Sequence, residues 1–154
     1  MTGEGLRLLD DLDELPPAPS TQRVKLAVPY DLTFEKTFEV PDQEGYWNDC
    51  CFGGDVIVDQ ILPSLKDRYS DLWSNQEDWG WFIWFREGGV KFAIEVFCQD
   101  RERGEFRVHL SSSKRKWLVW EYAVDTPELE RLRDLVHKVL SGWLGNPPRS
   151  KRVD

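Results

Sequence analysis

The sequence predicts an α+β fold: an antiparallel sheet of about six strands, a C-terminal helix packed on one face and a second, kinked helix. Three observations carry that expectation. Apolar residues alternate with period two through consecutive hairpins between residues 79 and 110, a broad apolar stripe at helical spacing runs from Leu129 to Trp143, and a shorter one from Val58 to Leu65 contains Pro63. With 154 residues, 40% of them hydrophobic, and eight Trp and eight Phe, the chain can build one core but hardly two.

Residues 1–22 read as an acidic, Pro-rich flexible arm, with Pro16, Pro17 and Pro19 holding the backbone extended. Leu6, Leu8, Leu9, Leu12 and Leu15 punctuate it at spacings that suit a short amphipathic docking turn. A single α+β domain is expected over 23–145 and a solvated basic tail over 146–154, after Gly145, Asn146, Pro147 and Pro148 stop regular structure.

Within the domain, Val24, Leu26 and Val28 alternate as one strand and Leu32, Phe34, Phe38 and Val40 as the next, with a turn at Pro29, Tyr30 and Asp31 between them. Residues 41–54 read as a long acidic, aromatic loop. Val58, Ile61, Leu62, Leu65 and Tyr69 follow at helical spacing, and Pro63 removes a backbone donor and kinks that helix.

A two-residue turn at Gly88 and Gly89 would pair Phe85 with Phe92, Ile83 with Ile94, Trp81 with Val96 and Trp79 with Cys98, making one face wholly apolar. A second turn over 100–104 would pair Cys98 with Phe106, Val96 with Val108 and Ile94 with Leu110, extending the same face. A polar loop over 111–115 then leads to a strand over 116–122, with Leu118, Trp120 and Tyr122 favoured inward over Trp117 and Val119. The last helix carries its own boundaries: Asp125 and Glu128 as a capping box, Pro127 in the first turn, Gly145 at the end. Leu129, Leu132, Val136, Val139, Leu140 and Trp143 form its stripe, and Asp134 with Lys138 a supporting pair.

The net charge of −8 is unevenly spread. Residues 1–22 hold one base and five acids, 23–78 five bases and twelve acids, and 79–154 fourteen bases and eleven acids, giving −4, −7 and +3. Such a balance suits a basic protein partner and argues against nucleic acid, which needs a clustered cationic footprint. No apolar run approaches the roughly 20 residues of a membrane span. The N-terminus has no signal-like apolar region, and the adjacent Cys50 and Cys51 are poorly placed to pair with each other, so a cytoplasmic protein with reduced thiols is expected.

The register that builds the apolar face assigns Phe82, Trp84, Ala93, Glu95, Phe97, Arg107 and His109 to the opposite one. A covering second layer, from the kinked helix or the loop over 41–54, is the first expectation for so aromatic a face. An exposed recognition surface of Phe82, Trp84, Phe97 and Arg107 is the second. Glu95 opposite His109 is the one candidate catalytic pair, since a carboxylate can orient an imidazole base, although a structural ion pair explains the same spacing. His137, on the polar side of the last helix, is assigned no role. No metal or cofactor is expected: Cys50, Cys51, Cys98 and His109 lack chelating spacings, and Asp42, Glu44, Asp49, Asp55 and Asp59 lack the order of a calcium loop, so these acids read as a binding surface. The function expected is a non-enzymatic protein-interaction module, of the adaptor, chaperone or inhibitor kind. The alternatives are a small hydrolase or transferase using Glu95 and His109, and a structural subunit that self-associates through its sheet edge.

Overall fold

In the computed structural model, which describes residues 29–39, 45–116, 120–123 and 127–153 (for 115–116 and 120–123 the backbone alone), regular elements follow in the order β1 (Tyr30–Glu35), α1 (Gly54–Lys66), β2 (Trp73–Glu77), β3 (Gly80–Glu87), β4 (Val90–Asp100), β5 (Glu105–Lys116), β6 (Trp120–Ala123), α2 (Pro127–Leu144) and β7 (Arg149–Arg152). The strands form one antiparallel sheet in the order β2-β3-β4-β5-β1-β7, and β6 lies against the far part of β5. The α+β architecture is the expected one, with seven strands. Expectations for residues 1–22, 24–28, Val40, Asp42, Glu44, 117–119 and Asp125, and for the facing of Trp120 and Tyr122, fall outside the described residues.

Both hairpins form in the expected register. Gly88 and Gly89 take positive φ values of 59° and 78°, the backbone shape of a two-residue turn, and Trp81 meets Val96, Ile83 meets Ile94, and Phe85 meets Phe92. On the other side of β4, Ile94 meets Leu110, Val96 meets Val108 and Cys98 meets Phe106 before the register shifts between Cys98 and Asp100. Residues of this inner parity pack with Tyr30, Leu32 and Phe34 of β1 and with one stripe of each helix: Ile57, Val58, Ile61 and Leu65 of α1, and Leu129, Leu132, Val136 and Leu140 of α2. The helices therefore lie on the same face of the sheet and share one core. The α1 segment is kinked, bending by 33° over residues 49–66, and Pro63 inside it withholds one ladder amide.

Several local expectations are corrected. Tyr30 and Asp31 do not turn; they open β1, because Tyr30 pairs with Leu110 and Asp31 with His109, and these ladder bonds hold the chain extended behind Pro29. Trp79 does not face Cys98: β2, a polar edge strand, pairs Glu77 with Gly80, so Asp78 and Trp79 form a turn before β3 begins. The polar run over 111–115 is strand, not loop, since β4 is long enough to pair as far as Val90 with Lys114, and Ser112 is buried opposite Phe92. Within the expected basic tail, Arg149–Arg152 pair with β1 as an exposed edge strand, covering backbone groups that β1 would otherwise leave open. In α2, Glu128 accepts from the Tyr69 hydroxyl and from Arg131, while Asp134 pairs with Arg133. No described helix is long and apolar enough to cross a membrane.

Candidate functional site

Because both helices occupy the inner face, the outer face of the sheet carries no helical layer among the described residues. Nor do the described residues of the loop cover it. Its described part, residues 45–54, is anchored at one end of the inner layer: Cys51 Sγ contacts the Glu77 carbonyl, Trp81 Nε1 donates to the Cys51 carbonyl, and Gly53 approaches Phe38 and Phe106. The expected covering layer is thus absent among the described residues, and the reason is geometric: the α1 stripe and its preceding loop are committed to the same core as α2.

On this outer face an aromatic band begins at the β2 edge. Trp73, 59% exposed, meets Trp84 and Phe82 edge-on at 5.4 and 5.3 Å. Phe82 and Trp84, two residues apart on one strand, stack at 4.0 Å. Trp79 bridges from Phe82 to Phe97 on β4, at 6.3 and 5.4 Å. Phe82 itself is only 1% exposed, so it is the floor of the band and its neighbours are the contact surface.

Cations sit on the rings. Lys91 Nζ lies 4.2 Å from the Trp84 ring centre, and the Arg107 guanidinium 4.5 Å from that of Phe97. Arg107 also reaches Asp31 at 3.5 Å, and Asp31 in turn holds His109 Nδ1 at 2.7 Å. Two donors of the band, Trp84 Nε1 and Arg107 Nε, are buried without a hydrogen-bond partner among the described residues, an arrangement that costs free energy until an acceptor is supplied.

The structure thus brings Phe82, Trp84, Phe97 and Arg107 together with Glu95 and His109 on one face. Glu95 is the cross-strand neighbour of His109, but the imidazole is hydrogen-bonded to Asp31 on the opposite flank of β5. Burial pushes the Glu95 carboxyl above its ordinary range, against the pull of His109, Lys91 and Arg107. What this cluster can do chemically is hold an imidazole in a fixed orientation and present cations beside flat apolar surface.

The acids are elsewhere. Asp49, Asp55 and Asp59 lie on or before the first half of α1, on the helical side of the sheet; Asp49 is paired with Arg101 at 3.4 Å and Asp55 accepts from the Tyr46 hydroxyl. Acidic surface and aromatic band are therefore two regions, not one. Among the described residues no group of three or more His, Cys, Asp or Glu is placed to hold a metal ion.

Four residues of the band escaped sequence reasoning. A turn expected at Pro29, Tyr30 and Asp31 hides Asp31, and the polar character of β2 hides Trp73. Trp79 lies off the parity that the hairpin register predicts for it, because a turn precedes β3. Lys91 was within reach, since the hairpin register already placed it on the outer face beside Trp84's cross-strand partner Ala93. Compared with protein-family models, curated proteins and solved structures, the chain matches none.

Proposed function

We propose that this chain is a non-enzymatic protein-interaction module, of the adaptor, chaperone or inhibitor kind, and that its contact surface is the helix-free face of the sheet. The observation that carries the reading is the continuous band of Trp73, Trp84, Phe82, Trp79 and Phe97, capped by Lys91 and Arg107, on a face that neither helix covers. Contiguous apolar surface of this kind is uncommon on a free monomer, and Trp and Arg are the side chains that dominate interface energy. The net charge of −8 steers a partner of net positive charge at long range. At contact, the rings and their cations favour a segment bearing apolar side chains and carboxylates. Cys50, Cys51 and Cys98 are all free thiols, which suits action in the reducing cytoplasm.

The test replaces Trp84 and Arg107 by Ala in the full chain and places a photo-crosslinker at position 73. We expect crosslinked capture of a cellular protein by the parent and its loss in the double variant, with far-UV circular dichroism unchanged. Equal capture by both would remove the band as the contact surface.

A second reading, a small hydrolase or transferase, draws on the 2.7 Å contact between Asp31 and His109, the geometry in which a carboxylate orients a general base. Glu95 would then lie beside the base and not orient it. Under this reading His109→Ala abolishes a turnover while capture at position 73 persists.

A further inference from the structure

Chemistry and reach on the outer face point to one occupant. We infer that the band is occupied in cis by the chain's own acidic leucine segment, residues 4–15, which a partner must displace; the inference rests on the reading of the band as a contact surface.

The segment matches the face in kind. Leu6, Leu8, Leu9, Leu12 and Leu15 supply apolar side chains for Trp73, Trp84 and Phe97, while Glu4, Asp10, Asp11, Asp13 and Glu14, against the single base Arg7, supply carboxylates for Lys91 and Arg107. The cationic heads that cap the rings, Lys91 Nζ over Trp84 and the Arg107 guanidinium over Phe97, are the groups an acidic occupant meets first. A second copy of this chain fits less well, because a two-fold pairing of the same band brings the cations of one copy, Lys91 and Arg107, to a face whose ring-capping heads are also cationic.

Reach is ample. The described fold begins at Pro29, directly before Tyr30 and Asp31, and Asp31 already sits at the charged end of the band. From β1 across β5 and β4 to β3 is three interstrand steps, about 14 Å. Residues 16–28 span up to about 43 Å when extended. A tether of this length holds the segment near the face at an effective concentration of about a millimolar, so weak contacts suffice in cis and an external ligand must compete. The same tether gives the arm a use for its leucines, which a purely solubilising acidic arm does not need.

The test uses the full chain with a photo-crosslinkable residue in place of Leu9, irradiated at low micromolar concentration. Crosslinks within one chain to peptides carrying Trp73, Trp84 or Lys91 are expected, together with their loss in Lys91→Glu/Arg107→Glu and unchanged circular dichroism. A second measurement does not depend on those face variants: Leu8→Ser/Leu9→Ser/Leu12→Ser should raise acrylamide quenching of tryptophan emission. Crosslinks confined to helix peptides, crosslinks only between chains, or no crosslinks together with unchanged quenching would overturn the inference. The crosslinker at position 73 separates this failure from that of the functional reading. If position 9 misses the band while position 73 still captures a cellular protein, the cis occupant is lost and the interaction module stands. If position 9 reaches the band and position 73 captures nothing even in the Leu→Ser chain, the reverse holds.

Discussion

Asp31 holds two side chains of β5 at once: its Oδ1 lies 2.7 Å from His109 Nδ1 and its Oδ2 lies 3.5 Å from Arg107 Nη1. The alternating facing of a strand makes this possible, since residues 107 and 109 share a face and residue 31, directly opposite 109, stands beside both. Removing Asp31 strands both partners, whereas removing His109 leaves the Asp31–Arg107 pair in place. Asp31→Ala should therefore cost about 1–2 kcal/mol in urea unfolding and His109→Ala less than about 1. Equal costs would show that Asp31 is not shared.

Glu95 gives the outer face a pH signature. Its carboxyl is raised by burial, with His109, Lys91 and Arg107 opposing, and the net direction is upward, so desolvation outweighs all three cations. A folded value above the unfolded one means that the stability due to this group is complete below the ordinary carboxyl range and is lost as pH rises through the folded value. Glu95→Gln should then stabilise the protein at pH 7 by a few tenths to about 1 kcal/mol, with the gain vanishing near pH 4. Thermal melts of parent and variant at the two pH values give the answer, and a Gln variant less stable at pH 7 would mean that the cations dominate.

The parts of this fold that could be read from sequence are those where a strict local rule has a single solution. Gly88 and Gly89 allow one tight turn, and with period-two alternation the turn fixes every pairing from Phe85 with Phe92 outward. The α2 stripe and the Gly145 stop, at φ 81°, are equally local. What could not be read is set by distant partners. Trp73–Glu77 has no apolar alternation and is a strand because β3 offers it an edge. Arg149–Arg152 is a strand because β1 does. The candidate site divides the same way: Phe82, Trp84, Phe97, Arg107 and His109 follow from the hairpins, while Asp31 joins them only through β1 pairing beside β5. Likewise, nothing local says that α1 and α2 would choose the same face and leave the other without a helix.

Two glycines should respond very differently to Ala. A Cβ on Gly54 would stand 2.2 Å from Trp81 Cδ1, and that ring is fixed by its bond to the Cys51 carbonyl. Gly88, at φ 59°, has open space around it and pays only the left-handed backbone cost. Gly54→Ala should cost about 2–4 kcal/mol and Gly88→Ala about 1–2. A melting temperature for Gly54→Ala equal to the parent's would mean that the start of α1 is not packed on Trp81.

Tyr69 ties the end of the α1 region to the start of α2. Its ring lies 4.3 Å from that of Phe85 in the core, and its hydroxyl donates to Glu128 Oε2 at 2.6 Å. The hydrogen bond from Tyr69, then that from Arg131, holds the Glu128 carboxyl below its ordinary range, while burial and the same bond push the Tyr69 phenol well above its own. For Glu128 the stability is present above the ordinary carboxyl value and disappears as pH falls through the depressed folded one. For Tyr69 it is present below the ordinary phenol value and disappears as pH rises through the folded one. Tyr69→Phe keeps the ring contact and removes only the hydroxyl, so it should cost about 1 kcal/mol at pH 7. That cost should shrink on acidification, as Glu128 protonates in both proteins and the bond loses its charged acceptor. In an alkaline titration the phenolate absorbance of one tyrosine, absent from Tyr69→Phe, should emerge only as the parent unfolds. A cost that is unchanged between pH 7 and pH 3, or a Tyr69 phenolate that forms reversibly near pH 10 in the folded protein, would show that the hydroxyl faces solvent and that α2 is not anchored through Glu128.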